Sequence, residues 1–351
     1  MKVITDGAIT GFLNKSLTKK SILEVFQPAL LNGLVTYSSD PEQIVPPRIK
    51  QASNNPNSDT VHVYMPCISP NEVGIKVISG GPCNNSKGLG FVGCVLIMDE
   101  ISGELQAVMN ASTLTAFRTA LASTLGLIKV ISVDKQEILP DLTVFGVGAQ
   151  AYWHVKLSLL LYGRKIQRVN ILNRTLGNAE KLKAKLEEEF KDVQFDAFSF
   201  QNDGDVAYKN RIQNSSIIFG CTPAASPVIK AEYINKDPKW PVFISLIGSY
   251  KPDMIELDLD FVKKLKQQGV KIIVDSKEHT LEEAGELIQS QYQPSGLVEI
   301  HELYTSPVTD VTDTNANVTV QKIVGLSIMD LAVGKLVYEK IGSDAIDVTD
   351  F

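Results

Sequence analysis

The stretch LTVFGVGAQAYWHV, residues 142–155, has the pattern of a β-strand, a glycine turn and the first turns of a helix. Gly146 permits a tight turn, and Gly148 lets the backbone approach a bound pyrophosphate. Ala149 and Gln150 fall in the first helical turn, where free N–H groups and the helix dipole favour an anion. A Gly-x-Gly pair alone is a weak signal, but here a strand precedes it, and a helix and a second strand follow. This context predicts a dinucleotide site rather than a βα turn without a ligand.

The sequence patterns before and after this turn predict different arrangements of secondary structure. From the turn onward, short β-branched runs alternate with amphipathic helical segments, which predicts a parallel sheet covered by helices. Before it, strand-like runs between residues 73 and 110 lead into a helix over 112–131. An earlier helical pattern is predicted to stop at Gly33. The final amphipathic segment, residues 317–342, is expected to fold back on the first domain.

Length and composition describe a folded protein of more than one domain. A chain of 351 residues exceeds what one hydrophobic core usually covers. Apolar residues make up 44% and charged residues 21%, as in ordinary soluble proteins. The net charge of −6 argues against nucleic acid or an anionic membrane as a main partner. Because no secretory signal and no bilayer-spanning run is apparent, the expected location is the cytoplasm.

Cysteine and histidine spacing gives no support for a metal site. The cysteines form no Cys-x-x-Cys pair, and none has a histidine at metal-ligand spacing. We therefore expect reduced thiols and no bound metal.

The end of the second strand, NILNRT, bears on which dinucleotide is bound. NAD sites usually place an acidic residue here to accept hydrogen bonds from the ribose 2′-hydroxyl. This chain has Asn173, Arg174 and Thr175 instead. A carboxylate would repel a 2′-phosphate, whereas Arg174 would bind it. The sequence therefore favours NADP(H), with NAD(H) as the alternative cofactor. If Arg174 has no role in binding, it is a solvated arginine in a loop.

Basic residues in the first part of the chain predict an acidic substrate. Arg48 lies in VPPRIK, Lys76 in GIKVIS and Arg118 in LTAFRTA. Lys76 sits inside an apolar strand, where an unpaired ammonium is costly. Two arginines can clamp a carboxylate, and a desolvated lysine can exchange a proton near neutral pH. Together they indicate an α-amino or α-imino acid presented to a nicotinamide.

These residues make the chain resemble the ornithine cyclodeaminase/mu-crystallin family over nearly its whole length. The resemblance is carried by PPR, GIKVIS, VLIMDEISGELQAVMNASTLTAFRTALAS, FGVGAQA, NRT, SSIIFGCTPAASPVI, GSYKPDMIELD and VTVQKIVGLSIMDLAVGKLVYE. It implies an α/β protein in which a Rossmann NAD(P)-binding domain, residues 121–314, is inserted in an α+β domain for substrate binding and dimerisation. The α+β domain comprises residues 1–120 and 315–351. The subunits are expected to form homodimers through it.

The resemblance also implies roles for individual residues. Arg48 and Arg118 would hold the substrate carboxylate, and Lys76 would bind substrate and assist proton transfer as the catalytic residue. The implied cofactor-binding residues are Arg118, Gly146, Gly148, Ala149, Gln150, Asn173, Arg174, Thr175, Cys221, Thr222 and Ile247.

The chain departs from the family pattern where true ornithine cyclodeaminases carry an aspartate and a lysine. Tyr250 and Met254 stand at those positions. A phenol, with a pKa of about 10, is no substitute for a carboxylate base at neutral pH. Ile323 replaces a serine common near the nicotinamide, and GLGF, residues 88–91, replaces a segment with proline and threonine. The chain is thus closer to the mu-crystallin branch of ketimine reductases.

The leading hypothesis is an NAD(P)H-dependent reductase of cyclic or linear α-imino acids. Pyrroline-2-carboxylate or piperideine-2-carboxylate would give an L-amino acid such as proline or pipecolate. One alternative is ornithine cyclodeamination with bound NAD, which needs Asp253 in place of the missing aspartate. Another is a non-enzymatic protein that binds NADPH or a small ligand.

Overall fold

The computed structural model describes residues 1–135, 137–201, 204–313 and 317–349, and for Asn85 and residues 204–207 it describes the backbone alone. The chain forms two compact units. The first contains residues 1–119 and the chain from Gly325 onward, and the second contains residues 120–324.

The N-terminal part builds most of the first unit and ends in a long helix that continues into the second. A π-helical turn, Ile22–Phe26, connects its second and third helices. The elements are β1 (Lys2–Ile4), α1 (Asp6–Ser16), α2 (Lys19–Ser21), α3 (Gln27–Ser39), α4 (Pro41–Ile44), β2 (Ile49–Ala52), β3 (Val61–Ile68), β4 (Val73–Gly80), α5 (Pro82–Ser86), β5 (Val92–Met98), β6 (Leu105–Asn110) and α6 (Ala111–Val130).

Strands and helices then alternate through the second unit, before the chain returns to the first. The second-unit elements are β7 (Asp141–Phe145), α7 (Ala149–Tyr162), β8 (Arg168–Asn173), α8 (Leu176–Glu189), β9 (Gln194–Ser199), α9 (Gly204–Gln213), β10 (Ser215–Gly220), β11 (Val242–Leu246), α10 (Leu259–Gln267), β12 (Ile272–Val274), α11 (Lys277–Glu283), α12 (Gly285–Gln289), β13 (Leu297–Glu299), α13 (Glu302–Thr305), β14 (Thr312–Asp313) and β15 (Val318–Lys322). The returning elements are α14 (Ser327–Lys340) and β16 (Ile346–Asp347).

The first unit is built on a mixed sheet in the order β16-β1-β6-β5-β4-β3-β2. β1 and β6 are parallel, and the other neighbours are antiparallel. Side chains alternate between the two faces, as the strand period of two requires. On β3, Val63, Met65 and Cys67 are buried, whereas Tyr64 and Pro66 are partly exposed. Helix α14 contacts β3, β4 and β5 and also packs on α3.

Gly33 does not end the N-terminal helix, so this expectation was wrong. α3 runs on to Ser39, and Gly33 is buried inside it. A Cβ at Gly33 would lie 3.0 Å from the Cβ of Ala332 on α14. The glycine therefore permits close helix–helix approach, a tertiary requirement that a local pattern does not reveal.

The second unit is built on a sheet in the order β13-β12-β15-β11-β10-β7-β8-β9, with neighbours parallel. β14 pairs antiparallel with β15. The predicted α/β class with a parallel sheet is confirmed.

The final amphipathic segment is shared between the two units. Its strand β15 pairs with β11 and β12 in the second unit, while its helix α14 belongs to the first. The first unit thus resumes at Gly325, whereas the sequence predicted that it resumes at residue 315.

The strand order of the second unit reverses at β7. The chain proceeds outward from β7 to β8 and β9, then returns to β10 on the other side of β7. In open parallel sheets, ligands bind outside the carboxyl ends of the strands at such a switch point. The loops after β7 and β10 lie at this point.

Candidate functional site

The predicted glycine turn joins β7 to α7 at the switch point. Gly146 has φ +108°, and its N–H donates to the Leu172 carbonyl at 2.8 Å. A Cβ at Gly146 would lie 2.5 Å from the Cys221 carbonyl oxygen, so both the conformation and the close approach require glycine. The turns after β7 and β10 are therefore in direct contact.

The start of α7 fits a phosphate-bearing ligand. Gly148 is the N-cap of α7, and a Cβ built on it would have no described atom within 4 Å. Ala149 begins the helix, whose first N–H groups lack intrahelical partners. Among the described residues, the buried Oε1 of Gln150 has no hydrogen-bond partner. Open space and an orphaned polar atom at a helix N-terminus suit an anionic ligand.

The predicted 2′-phosphate residues lie between β8 and α8. Asn173 ends β8, and its Nδ2 donates to the Thr175 carbonyl at 2.9 Å. Ser199, at the end of β9, donates from Oγ to the Arg174 carbonyl at 2.9 Å. These bonds hold the loop backbone, and the Arg174 side chain is exposed.

The remaining predicted cofactor residues follow β10 and β11. The Cys221 N–H donates to Phe145 at 2.8 Å, and the Ile247 N–H donates to Gly220 at 2.8 Å. Burial, and then the Glu256 charge, raise the pKa of the Cys221 thiol well above its usual value, so this thiol is not an activated nucleophile. Thr222 is buried and bonds to the buried carboxylate of Glu256, a residue that the sequence analysis missed.

Three further positions bear on deaminase chemistry. Tyr250 is half-buried, and burial, followed by the nearby Asp253 charge, raises the pKa of its phenol above the usual value. It therefore stays protonated at neutral pH. Asp253 is exposed, and Met254 is half-buried.

In the first unit, the structure brings Lys76 and Arg118 together on one carboxylate. Lys76 Nζ donates to Asp330 Oδ1 at 2.9 Å, and Arg118 Nε donates to the same oxygen at 3.1 Å. The side chains are 1%, 4% and 0% exposed respectively. Lys76 comes from β4, Arg118 from α6 and Asp330 from α14. Burial of this depth makes the pairing obligatory, because an unpaired charge here is costly.

Arg48 joins this group through Gly325. Its Nη2 donates to the Gly325 carbonyl at 2.7 Å. Gly325 has φ +85°, and a Cβ on it would lie 2.7 Å from Nη1 of Arg118. One glycine thus lies against both guanidinium groups. We call Arg48, Lys76, Arg118 and Asp330 the basic cluster.

The pKa values of Lys76 and Asp330 are both lowered in the basic cluster. Burial lowers the pKa of Lys76 to about 7; the Asp330 charge opposes this shift, and Arg118 and Arg48 add to it. Burial would raise the pKa of Asp330, but Arg118 and Lys76 outweigh it and hold that pKa below its usual range. Asp330 is therefore ionised beside Lys76 and Arg118.

Sequence reasoning missed Asp330, although a signal for it was present. The residue stands alone in the apolar run SIMDLAVG, residues 327–334. The cost that predicted a partner for Lys76 applies equally to a carboxylate in such a run. The two unpaired charges could have been matched with each other.

In the part of the chain that the structure describes, no group of three His, Cys, Asp or Glu side chains is placed to hold a metal ion. None of the described helices is both long and apolar enough to cross a membrane.

Comparison with known proteins agrees with this architecture. An uncharacterized protein of Saccharomyces cerevisiae is 33% identical over 95% of this chain and 95% of its own. The ketimine reductase mu-crystallin of Rattus norvegicus is 28% identical over 71% of this chain and 69% of its own. The solved structure of Thermococcus litoralis Δ1-pyrroline-2-carboxylate reductase, in complex with NADH and L-proline, has a TM-score of 0.78 and 24% identity. That likeness covers 99% of this chain and 100% of the other, and it supports the fold.

A family profile covers almost the entire chain. Residues 15–345 match the ornithine cyclodeaminase/mu-crystallin family, which confirms the resemblance drawn from the sequence motifs. The chain belongs to the ornithine cyclodeaminase/mu-crystallin family.

Proposed function

We propose that this protein is an NAD(P)H-dependent reductase of α-imino acids. The substrates would be cyclic or linear ketimines, such as pyrroline-2-carboxylate or piperideine-2-carboxylate, and the products L-amino acids. The observation that carries the proposal is the basic cluster, in which the buried Lys76 and Arg118 share one carboxylate and Arg48 lies against the same glycine as Arg118. The named ketimine reductase among the relatives supports the same reaction class.

In this proposal the first unit binds the substrate. Arg48 and Arg118 would hold its carboxylate through charged hydrogen bonds. Lys76 would place its ammonium at the imine nitrogen and deliver the proton that reduction consumes. A pKa of about 7 suits a general acid at neutral pH. Asp330 would orient Lys76 and Arg118 without contacting the substrate.

The second unit would bind the dinucleotide, whose nicotinamide supplies the hydride. Gly146, Gly148, Ala149 and Gln150 would receive the pyrophosphate at the start of α7. Asn173, Arg174 and Thr175 would meet the adenosine ribose. The exposed Arg174 side chain, with no carboxylate in its place at the end of β8, favours NADP(H) over NAD(H). Cys221, Thr222 and Ile247 would face the other half of the cofactor.

Ornithine cyclodeamination has less support. It needs a base where this chain has Tyr250, whose phenol stays protonated. Asp253 is exposed, outside the buried setting that a base in a closed active site would have. In a purely ligand-binding role Lys76 would serve only its pair with Asp330, and the named ketimine reductase among the relatives favours catalysis instead.

We also propose that the protein forms a homodimer through the first-unit sheet. Pro66, Ile75, Leu96 and Val108 are neighbours across β3 to β6, and all four are partly exposed. They lie on the face opposite Lys76. A contiguous apolar strip on a sheet face is typical of an interface.

The reaction is tested by incubating the purified protein with NADPH or NADH and either cyclic imine, and following oxidation of the nicotinamide. We expect turnover with at least one imine, and loss of turnover in Lys76→Met. Absence of oxidation with both imines, together with ammonia release from ornithine, would overturn the proposal.

A further inference from the structure

Glu256 connects two loops of the second unit through different oxygens of one carboxylate. Its Oε1 accepts from the N–H and Oγ1 of Thr222, at 2.7 and 2.9 Å. Its Oε2 accepts from the N–H groups of Gly248 and Ser249, at 2.6 and 3.3 Å. Thr222 follows β10, and Gly248 and Ser249 follow β11. The side chain is fully buried, so these bonds are made without competition from water.

A second buried layer holds Glu256 itself. Glu286 accepts from the Glu256 N–H at 2.7 Å and from Ser249 Oγ at 2.7 and 2.8 Å. Lys322, the last residue of β15, donates to Ser249 Oγ at 2.5 Å and lies 4.0 Å from Glu286. Glu286 and Lys322 are each about 1% exposed or less. The network therefore connects the ends of three adjacent strands through Glu256, Ser249 and Glu286.

The backbone around Glu256 is fitted to this arrangement. A Cβ at Gly220 would lie 2.9 Å from Glu256 Oε1. A Cβ at Gly248 would lie 2.0 Å from the Thr222 carbonyl oxygen. Gly248 requires glycine because the Thr222 backbone approaches so closely, and a Cβ at Gly220 would displace the Glu256 carboxylate. The Glu256 side chain is therefore closely surrounded by the two loops that it bonds.

The position of these loops indicates which part of a dinucleotide they would meet. A doubly wound sheet binds the two mononucleotide halves on opposite sides of its switch point. On one side, β7 and β8 carry the glycine turn and Arg174. The loops after β10 and β11 lie on the other side, where the nicotinamide half falls.

We propose that Glu256 is a positioning residue that sets the separation of the Thr222 and Gly248 loops for the nicotinamide half of the cofactor. The inference rests on the proposed dinucleotide function. Glu256 contacts neither substrate nor cofactor; it acts through the backbone N–H groups that it holds.

The hydrogen-bond pattern requires the ionised form of Glu256. Both oxygens receive N–H donors, so a proton on either one would oppose a donor and break a bond. Burial raises the pKa of Glu256 to about 7, with Lys322 lowering it and Glu286 raising it. The Cys221 thiol, which also faces Glu256, stays protonated. Acidification through about pH 7 would therefore loosen the loops.

The test is direct binding of NAD+ to the full-length protein by calorimetry, without turnover. NAD+ is used because it lacks the 2′-phosphate, which titrates in the same range. Glu256→Gln keeps the side-chain shape but turns an amide NH2 toward one loop. We expect its Kd for NAD+ to rise about 10- to 100-fold, the effect of losing a charged hydrogen bond. Glu189→Gln is the control, because Glu189 bonds Tyr152 and Lys156 in the same unit but contacts neither loop.

A second measurement uses the unaltered protein and does not depend on the variant's folding. As the pH is lowered from about 8 to about 6, Glu256 takes up a proton, and the affinity of the protein for NAD+ should fall. Glu256→Gln, where it folds, should lose this dependence. A pH-independent Kd in the unaltered protein, or an unchanged Kd in Glu256→Gln, overturns the positioning role. Failure of the unaltered protein to bind NAD+ or NADP+ at any pH instead overturns the proposed function, and the positioning role with it.

Discussion

Lys76 and Asp330 lie 254 positions apart in the chain, yet Lys76 Nζ donates to Asp330 Oδ1 across 2.9 Å in a fully buried setting. Arg118 donates to the same oxygen. The Asp330 carboxylate therefore holds the side chains of Lys76 and Arg118 in place. The proposed roles of these two residues depend on it.

Asp330→Asn should be strongly destabilising. It leaves Lys76 and Arg118 buried without their counter-ion, and breaking a buried pair typically costs about 3–5 kcal/mol. The free energy of unfolding in urea measures this effect. Asp344→Asn is the matched control, because its pair with Lys15 is exposed and should contribute less than about 1 kcal/mol. Adding Lys76→Met to Asp330→Asn should recover part of the loss. Equal effects of the two asparagine variants would contradict the prediction.

The rate of imine reduction should fall as pH rises through about 7. The pH dependence of kcat/KM reports the pKa values of groups in the free enzyme. There, burial lowers the pKa of Lys76 to about 7. Above that pH Lys76 loses the proton that it is proposed to deliver. The measurement is kcat/KM against pH for the unaltered protein and for Lys76→Arg, whose guanidinium stays protonated. The substrate's own titration appears in both profiles, so only the difference reports Lys76. Parallel profiles would exclude Lys76 as the acid.

Gly325→Ala should weaken substrate binding. A Cβ at position 325 would collide with the Arg118 guanidinium. The backbone there also has φ +85°, which side-chain-bearing residues rarely adopt. We expect KM for the imine to rise about tenfold or more, as when a charged hydrogen bond is lost. Gly342→Ala is the control: φ there is +60°, and no described atom lies within 4 Å of the added Cβ. It should cost about 1–2 kcal/mol of stability through φ alone. A similar KM for both variants would argue against Gly325 as a spacer for Arg118.

Arg174→Ala should raise KM for NADPH and leave KM for NADH unchanged. The expected rise is about tenfold or more, the effect of losing a charged bond to the 2′-phosphate. Arg164→Ala provides the comparison, since Arg164 is also exposed but pairs with Asp192. If Arg174→Ala affects both cofactors equally, the assignment of NADP(H) fails.

Leu96→Glu should separate the proposed dimer. The side chain lies mid-strip on the partly exposed sheet face, between Ile75 and Val108. A carboxylate there would be buried without a partner in the interface. Sedimentation velocity should show a monomer for Leu96→Glu. Ile101→Glu, in an exposed turn, should sediment as the unaltered protein does. A monomeric unaltered protein would refute the dimer itself.

Features that depend on neighbours in sequence were predicted well. The glycine turn at Gly146 and the helix α6 follow from local conformational demands and apolar periodicity. The predicted stop at Gly33 failed because the same residue type also serves close packing, here against Ala332. The bounds of a helix therefore depend on what lies against it, which the local pattern omits.

By itself, the sequence determined that a glycine turn joins a strand to a helix at Gly146, that Lys76 needs a partner, and that the chain resembles a family of amino-acid and imino-acid enzymes. Only the tertiary structure decided that Asp330 is that partner, that Gly325 lies against both Arg48 and Arg118, and that Glu256 joins the loops after β10 and β11. The reason is physical. The cost of burying a charge is a property of the residue, and can be read locally. The identity of the group that offsets it depends on which distant elements the fold places within hydrogen-bond distance.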